Sequence, residues 1–451
     1  MKRLLLAASF IALAATPALA QTTRAVERNA VEAHMNFLAG EELQGRGSAT
    51  RDEAIAAAYV AAQFRLAGLT PAPGMDGYVQ KAPVTKITPS GEARLTIGGD
   101  SLTQGADFAI MTGGLNAASG AISIVADPAA IPSGAEALMV SPPDGPGVRA
   151  IFGSLMRSGA RLILLRRTEA LAQATGGSGS RDPIIRLADA TPRVGPVVLV
   201  LAPEVFDRLK AAGGTATYDP GETTVEPGFT SNAIGWLAGS EPDGPVLMVS
   251  AHLDHIGLRS DGVVMYGAND DASGTVAVIE LARALAGTGP HRMNVMFVAY
   301  GSEEAGLLGS HYFVDNPPVP LDRIRANLEI EMIADQDPKL PAGVMMMTGF
   351  GRSNFGPELQ ARGARVGPDP YPEQNFFERS DNFALAQRGI VAHTVSGWAT
   401  IPTYHTPEDT IAKINFDFMT QAIQSLVAPL SAVAEGDFTP TWSADGRPTP
   451  R

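Results

Sequence analysis

The sequence PVLMVSAHLDH at residues 245–255 joins a continuous apolar run to two histidines and an aspartate. An apolar run of this length, here ending at Ala251, is typical of a strand that is buried on both faces, as in parallel sheets. His252, Asp254 and His255 follow directly, so the pattern predicts that they lie at the carboxyl end of the strand. Ligands of open α/β sheets bind at that end of the strands.

From residue 228 onward, predicted strands alternate with predicted helices. Further buried strands are predicted at residues 293–299, 328–333 and 389–395, and amphipathic helices at residues 52–67 and 274–286. This alternation predicts an α/β fold with a mostly parallel central sheet sandwiched by helices.

The section from 89 to 227 has a different texture. Short β-like runs are separated by turns rich in Gly, Pro and Ser, and this section contains none of the seven histidines. It predicts a small β-rich domain, inserted into the chain and without chemistry of its own. The predicted organisation is a signal peptide at 1–20, an N-terminal part of the catalytic domain at 21–88, the insert at 89–227, the catalytic domain at 228–438, and a tail at 439–451 that we expect to be poorly ordered.

The first twenty residues have the pattern of a targeting segment. Lys2 and Arg3 precede an apolar stretch at residues 4–15, and Ala18-Leu19-Ala20 is a small-x-small cleavage site. No other segment approaches the ~20 apolar residues that a membrane-spanning helix needs. The sequence therefore predicts a periplasmic or secreted protein that keeps no transmembrane segment after the signal is removed.

Charge and cysteine content exclude several classes of function. Lys+Arg is 34 and Asp+Glu is 47, giving a net charge of −13 with no basic cluster, which argues against a nucleic-acid partner. The sequence has no cysteine, so disulfides, thiolate metal sites and a cysteine nucleophile are excluded. It also lacks the Gly-x-Ser-x-Gly elbow of many serine hydrolases. Any metal must therefore be bound by His, Asp and Glu.

Metal-ligating residue types are concentrated at predicted strand ends and loops. They occur in residues 252–255, 267–274, 301–306, 329–332 and 404–409. An uncompensated carboxylate at the end of a buried strand is costly to desolvate, and converging carboxylates repel one another. Divalent cations remove that repulsion. This donor set suits zinc, with manganese or cobalt as substitutes, and two histidines with three carboxylates suffice for two ions if one carboxylate bridges them.

Two features of these segments suggest roles beyond metal binding. Glu303 and Glu304 are adjacent, so their side chains diverge, and one can bind metal while the other acts as a general base on a metal-bound water. Asp254, two residues after His252, is placed to orient that imidazole.

Taken together, the segments resemble the co-catalytic di-zinc aminopeptidase family, whose wider relatives include glutamate carboxypeptidases and the transferrin receptor. The resemblance covers residues 230–435 and extends loosely to residues 30–85, while the middle section resembles a protease-associated domain in texture alone. The motifs that carry it are His252-x-Asp254, Asn269-Asp270-x-x-Ser273-Gly274, Glu303-Glu304-x-Gly306 and Tyr404-His405-Thr406-x-x-Asp409.

The resemblance implies a pair of zinc ions bridged by Asp270. His252 and Glu331 are expected to complete one site, and Glu304 and His405 the other. Many relatives have Asp at the position of Glu331, so this ligand departs from the family pattern, and Glu329 on the same segment is the alternative.

The resemblance also assigns catalytic roles. Glu303 is expected to act as general base and acid, and Tyr404 to stabilise the tetrahedral oxyanion. It further implies a cis peptide bond between Asp270 and Asp271. Asp271 is interpreted as a cap at the start of the following helix. His255 is interpreted as lying outside the ligand set.

The leading hypothesis is thus an exported metallopeptidase that removes N-terminal residues from peptide substrates. A carboxypeptidase or dipeptidase on the same fold is the alternative, and it needs an arginine in the pocket, for which Arg259, Arg352 and Arg379 are candidates. A glutaminyl cyclase is less favoured because the resemblance implies one zinc for that reaction. A non-catalytic receptor-like binding module is disfavoured because the full ligand set is present.

Overall fold

The computed structural model describes residues 25–128, 130–143, 147–175, 183–190 and 195–449. The predicted signal peptide lies outside these residues. None of the helices in those ranges has the length and the apolar character that crossing a bilayer requires.

Helices and strands follow one another along the whole of the described residues. The helices are α1 (Arg28–Leu38), α2 (Arg51–Leu66), α3 (Gly147–Arg157), α4 (Glu169–Ala174), α5 (Pro203–Ala212), α6 (Ser273–Ala286), α7 (Leu308–Asp315), α8 (Phe355–Ala361), α9 (Asn382–Gln387) and α10 (Phe416–Ala434). The strands are β1 (Val79–Pro89), β2 (Arg94–Ile97), β3 (Asp100–Thr103), β4 (Phe108–Thr112), β5 (Ala118–Val125), β6 (Ala137–Val140), β7 (Leu162–Arg166), β8 (Ile184–Leu187), β9 (Val197–Leu201), β10 (Thr215–Asp219), β11 (Thr223–Leu237), β12 (Val246–His252), β13 (Gly257–Leu258), β14 (Val264–Met265), β15 (Asn294–Tyr300), β16 (Ile324–Ile330), β17 (Met345–Met347), β18 (Val366–Pro368) and β19 (Val391–Ser396).

The larger part of the fold is organised around a nine-stranded sheet in the order β18-β17-β19-β16-β12-β15-β11-β1-β8. The central strands β19, β16, β12 and β15 are parallel, whereas β11, β1 and β8 add antiparallel at one side. The predicted α/β class is therefore correct. The sheet is mixed with a parallel centre, because only the strands joined through covering helices run parallel.

Both faces of this sheet are covered by helices, which explains the continuous apolar run of β12. Leu247, Val249 and Ala251 pack into one hydrophobic cluster together with residues of α1, α2, α6 and α10. Val246 and Met248 point the other way, into a cluster that includes residues of α7 and α9. Because successive side chains of a strand alternate between faces, a strand between two apolar layers must be apolar at nearly every position.

Side-chain caps fix the starts of two helices that border the site. The Thr50 hydroxyl accepts hydrogen bonds from the backbone N–H groups of Asp52 and Glu53 at the start of α2. The Asp271 carboxylate accepts from the backbone N–H of Gly274, 2.9 Å away, at the start of α6. These contacts satisfy N–H groups that lack partners within the first turn of a helix.

The section after β1 contains an eight-stranded sheet of its own, ordered β3-β2-β10-β5-β6-β7-β9-β4. Apolar clusters lie on both of its faces. β1 leads into this section and β11 leads out of it, and the two strands pair continuously from Val79↔Ala233 to Pro89↔Thr223. β8 lies within this section of the sequence but pairs with β1, as the edge strand of the nine-stranded sheet. Composition could not reveal these pairings, since they join segments far apart in the chain.

Two expectations from the sequence differ from the structure. The third central strand, β16, ends at Ile330, so Glu331 lies just beyond the strand and not within it; Met332, with φ 53°, turns the chain away. In addition, residues 439–449 of the predicted tail contact the rest of the fold. The Trp442 indole donates to the Gly389 carbonyl at 2.9 Å, and Asn354 hydrogen-bonds with Thr441.

His393 on β19 makes the fold sensitive to acid. Its Nδ1 lies 2.9 Å from the Thr348 carbonyl, which can only accept, so Nδ1 carries the hydrogen and Nε2 accepts from the Ser353 hydroxyl at 2.7 Å. Burial lowers the pKa of His393 from 6.5 to about 4. The unfolded chain therefore takes up a proton between these pH values that the native state does not, and native stability falls as the pH is lowered through that range.

We predict that His393→Gln, whose amide can replace both hydrogen bonds, reduces the loss of stability between pH 7 and pH 4.5. The neutral histidine contributes up to about 3 kcal/mol that is lost towards pH 4. Urea unfolding of the chelator-treated wild type and variant across this pH range measures the difference. Equal pH slopes for the two proteins would contradict the prediction.

Candidate metal centre

The five predicted metal ligands meet at the carboxyl ends of the central parallel strands. His252 is the last residue of β12 and Asp270 lies in the short segment Ala268–Ala272 that leads into α6. Glu304 follows β15, Glu331 follows β16, and His405 lies in the loop after β19. The parallel centre of the sheet therefore brings these separate segments to one edge.

Asp270 occupies the position of a bridge. Its Oδ1 lies 3.3 Å from His252 Nε2, and its Oδ2 lies 3.1 Å from His405 Nε2. His405 Nε2 is also 3.2 Å from Glu304 Oε2. The donor atoms form two groups, each with all atoms within 4.8 Å of one another, and Asp270 belongs to both: His252, Asp270 and Glu331, and His255, Asp270, Glu304 and His405.

The donor atoms fit a pair of divalent cations. His252 Nε2, Asp270 Oδ2, Glu304 Oε1 and His405 Nε2 are buried without a hydrogen-bond partner in the described part of the chain. Such orphaned atoms are costly unless something else satisfies them. Donors about 2 Å from one tetrahedral ion lie about 3.3 Å apart, which is the separation seen here, and imidazole with carboxylate is a donor set suited to zinc.

The charges around the two groups are unevenly compensated. Burial acts to raise the pKa of Asp270, but the imidazoles of His252 and His405 outweigh it and hold this pKa well below its ordinary value. Burial likewise acts on Glu304, yet His255 and His405 lower its pKa to about 2. For Glu303 and Glu331 burial prevails over the imidazole of His252 and raises both pKa values. The carboxyl groups whose negative charge is least compensated, those of Glu303 and Glu331, thus lie where a bound cation would be most favourable.

Hydrogen bonds to backbone groups hold the ligand loops in place. Asp254 Oδ1 accepts from the Glu303 N–H at 2.9 Å, and its Oδ2 accepts from the Ser48 hydroxyl at 2.6 Å. The imidazole Nδ1 of His252 instead faces the backbone carbonyl of Asp254, 3.2 Å away. The Asp254 carboxylate therefore positions the loop of the two glutamates, in addition to the predicted contact with His252, from which it is 3.8 Å away.

The bridging residue has a support of its own. The Asp409 carboxylate accepts from the backbone N–H groups of Asn269 and Asp270, at 2.8 and 3.0 Å. The peptide bond between Asp270 and Asp271 is cis, as the resemblance implies. Asp271 accepts from the Met332 N–H at 3.0 Å, so it joins the bridging segment to the loop that carries Glu331.

Arg46 connects the segment after β12 with the segment that precedes Asp270. It is fully buried, and its guanidinium donates to the carbonyls of Leu253, Tyr266 and Gly267 at 2.8, 2.9 and 2.8 Å, and to the carbonyl of Leu38. The flanks of His252 and Asp270 are therefore attached to one rigid group. Burial lowers the pKa of Arg46 to about 10, against the raising effect of Asp254 and neighbouring acids, so the guanidinium keeps its charge at neutral pH.

A pocket opens beside the two groups. Glu303 and Tyr404 both line it, together with four of the five predicted ligands, Asp270, Glu304, Glu331 and His405. The ring of Tyr404 stacks on His405 with centroids 3.8 Å apart. Burial and the nearby acids Asp270 and Glu304 raise the pKa of Tyr404, so its hydroxyl remains a hydrogen-bond donor.

Sequence reasoning located the ligand segments but missed some of the residues around them. Glu329, the alternative ligand, faces the Ser250 hydroxyl one layer below the centre and belongs to neither group of donors. His255, interpreted as lying outside the ligand set, has its Nδ1 inside the second group. Asp409 was named only as part of a motif, and Arg46 was assigned no role; the available signal was an arginine between two glycines, Gly45 and Gly47, shortly before α2.

Residues 232–430 match the model of a known family, described as Peptidase family M28. Aminopeptidase YwaD of Bacillus subtilis is 32% identical over 184 residues, which cover 39% of this chain and 38% of the relative. Leupeptin-inactivating enzyme 1 of Streptomyces exfoliatus is 32% identical over 235 residues, covering 47% of this chain and 50% of the relative. The alignment thus spans half or less of the length of these curated relatives.

Solved structures resemble nearly the whole chain. An aminopeptidase from Aneurinibacillus sp. strain AM-1 matches with a TM-score of 0.61 and 20% identity, over 91% of this chain and 94% of that one. BSAP, a zinc aminopeptidase from Bacillus subtilis, matches with a TM-score of 0.58 and 19% identity, over 92% and 97%. The family match confirms the expected resemblance for residues 232–430, and the likeness to the solved structures shows that the fold is that of these aminopeptidases.

We predict that Arg46→Lys destabilises the protein by at least ~3 kcal/mol, because an ammonium cannot reach all four carbonyls and leaves buried acceptors unpaired. Urea unfolding of the zinc-loaded variant measures the loss. Arg51→Lys is the matched control, since the Arg51 side chain is 85% exposed. A midpoint for Arg46→Lys equal to that of the control would refute the role of Arg46.

Proposed function

We propose that this chain, whose residues 232–430 match peptidase family M28, is an exported metalloaminopeptidase that hydrolyses peptides from the amino terminus. It would use two divalent ions, preferably zinc, with Glu303 as general base. The single observation that carries this proposal is the orientation of Asp270, whose two oxygens face two separate imidazole and carboxylate groups. The relatives named as aminopeptidases support the choice of reaction.

The residues suggest how the reaction proceeds. A pair of ions, when bound, polarises the scissile carbonyl and lowers the pKa of water. The Glu303 carboxylate takes a proton from the attacking water as its oxygen bonds to the carbonyl carbon. Glu303 then delivers that proton to the leaving nitrogen as the carbon–nitrogen bond breaks. The Tyr404 hydroxyl donates a hydrogen bond to the oxyanion that forms in between.

The pocket suggests what substrate it accepts. Met332, Met346 and Phe376 give it an apolar wall, which suits an apolar first side chain. The adjoining carboxylates, Glu303 and Glu331, favour a protonated amino terminus nearby. An aminopeptidase on apolar amino termini is therefore the preferred assignment.

The alternative of a dipeptidase or carboxypeptidase is carried by one observation. Of the three candidate arginines, Arg379 lines the pocket. Arg352 instead lies over the Phe377 ring and donates to the Gly446 carbonyl, and Arg259 pairs with Asp261 at 2.7 Å. Arg379 can therefore meet a substrate carboxylate.

Export, the nature of the section from 89 to 227 and the choice of metal are also proposed. The signal-like segment at residues 1–20 supports export to the periplasm or the medium. The section from 89 to 227 is proposed to be a protease-associated insert. Manganese or cobalt could replace zinc, since carboxylate and imidazole donors accept all three.

We predict that Glu303→Gln retains bound zinc but loses at least ~10²-fold in kcat, the usual contribution of a general base. The amide preserves the size of the side chain and removes its ability to take a proton. Metal analysis and turnover of an aminoacyl amide are measured on the same preparation.

Glu373→Gln is the matched control for this experiment, because Glu373 is exposed on a neighbouring loop and should keep full activity. Near-normal turnover of a metal-loaded Glu303→Gln variant would exclude Glu303 as the base.

We also predict that a leucyl amide is hydrolysed, that its N-acetylated form is not, and that chelation removes activity which added zinc restores. A free amine is required because the acidic pocket must hold it. A panel that includes C-terminal glutamyl peptides tests the alternative directly. Faster cleavage of N-blocked peptides from the carboxyl end would favour the carboxypeptidase.

A further inference from the structure

His255 lies among the metal-ligating atoms although no motif called for it. Its Nδ1 is 2.8 Å from Glu304 Oε1 and 3.7 Å from Asp270 Oδ2. Its ring meets the His405 ring edge-on, with centroids 5.5 Å apart. All four side chains share one group of donor atoms.

The contact between His255 and Glu304 does not have the geometry of a hydrogen bond. Despite the separation of 2.8 Å, His255 Nδ1 and Glu304 Oε1 both lack a hydrogen-bond partner among the residues described. Two ligand atoms that are close without a hydrogen bond between them can share one ion, since ligand atoms about 2 Å from a tetrahedral zinc lie about 3.3 Å apart. An ion shared by the two atoms would account for their close approach.

The surrounding backbone is shaped to hold this imidazole. His255 is fully buried, and its backbone N–H donates to the Arg46 carbonyl at 3.2 Å. A Cβ at Gly267 would lie 2.3 Å from His255 Cγ, and Gly267 has φ +60°. Only a residue without a side chain leaves room for the ring at this point, on the loop that also carries Asp270.

We propose that His255 is a fourth protein ligand of one of the two ions. Its site then comprises His255, His405, Glu304 and the bridging Asp270, whereas the other ion is held by His252, Glu331 and Asp270. This inference rests on the proposed two-ion centre and makes that centre asymmetric.

The asymmetry has consequences for metal binding. The site with two imidazoles and four protein donors should take up the first equivalent of zinc and hold it more tightly. The other site has a single imidazole and fewer donors, so it should exchange first, including for manganese, which prefers oxygen ligands. One ion would thus be nearly permanent and the other replaceable.

X-ray absorption at the zinc edge tests the assignment on the intact wild-type protein. Chelator-treated protein is reloaded with one equivalent of zinc, and the imidazoles per zinc are counted from their multiple scattering. We expect two imidazoles per zinc. One imidazole per zinc would overturn the proposal, whatever the behaviour of any variant.

A variant provides a second measurement. With two equivalents of zinc bound, the average number of imidazoles per zinc is expected to fall from about 1.5 in the wild type to about one in His255→Ser. Competition with a chelator should show that the zinc affinity of one site is at least ~10-fold weaker in the variant. His34→Ser is the control, because His34 bonds to the Tyr59 hydroxyl outside both groups. It should match the wild type.

The outcomes separate this inference from the proposed function. If wild-type protein binds two zinc ions with one imidazole each, His255 is no ligand but the two-ion centre stands. Weaker binding by His255→Ser with an unchanged imidazole count would also overturn ligation and leave His255 as a positioning residue. If wild-type protein binds no zinc under either loading, the proposed function itself fails.

Discussion

The centre depends on one constraint: Asp270 must present its two carboxylate oxygens to two different sets of donors. This requires a backbone segment that cannot rotate. Asp409 holds it through two backbone N–H groups, and Arg46 holds the preceding residues through the carbonyls of Tyr266 and Gly267. Both supports are buried, where charge-assisted hydrogen bonds are strong and their loss is costly.

The sheet supplies the frame within which this segment works. Parallel strands end at one edge, and helices on both faces of the sheet fix their position. The loops that leave the strands turn sharply: Ser302, Met332 and His405 all adopt positive φ without being glycine. Such conformations cost ~1–3 kcal/mol each and persist where surrounding contacts enforce them. The strain aims side chains of adjacent residues, such as Glu303 and Glu331, into the pocket.

The electrostatics follow from the same arrangement. Carboxylates outnumber cationic groups at the strand ends, and Arg46 lies beneath the backbone and not among the donors. Imidazoles compensate Asp270 and Glu304 directly, while at Glu303 and Glu331 burial outweighs the imidazole of His252 and raises the pKa of both carboxyl groups. A site of this kind favours bound cations.

The sequence alone determined the fold class and the segments that carry the donor residues, because both follow from local patterns: an apolar run means a doubly buried strand, and ligand residues directly after it mean a site at the strand end. It could not determine that β16 ends before Glu331, that β1 pairs continuously with β11, or that the C-terminal segment hydrogen-bonds to Gly389 and Asn354. Nor could it distinguish His255 from a loop histidine, or Arg46 from a surface arginine. Those facts depend on contacts between distant segments, such as the reach of Arg46 to Gly267 or the space that Gly267 leaves for an imidazole, and only the folded chain brings these groups together.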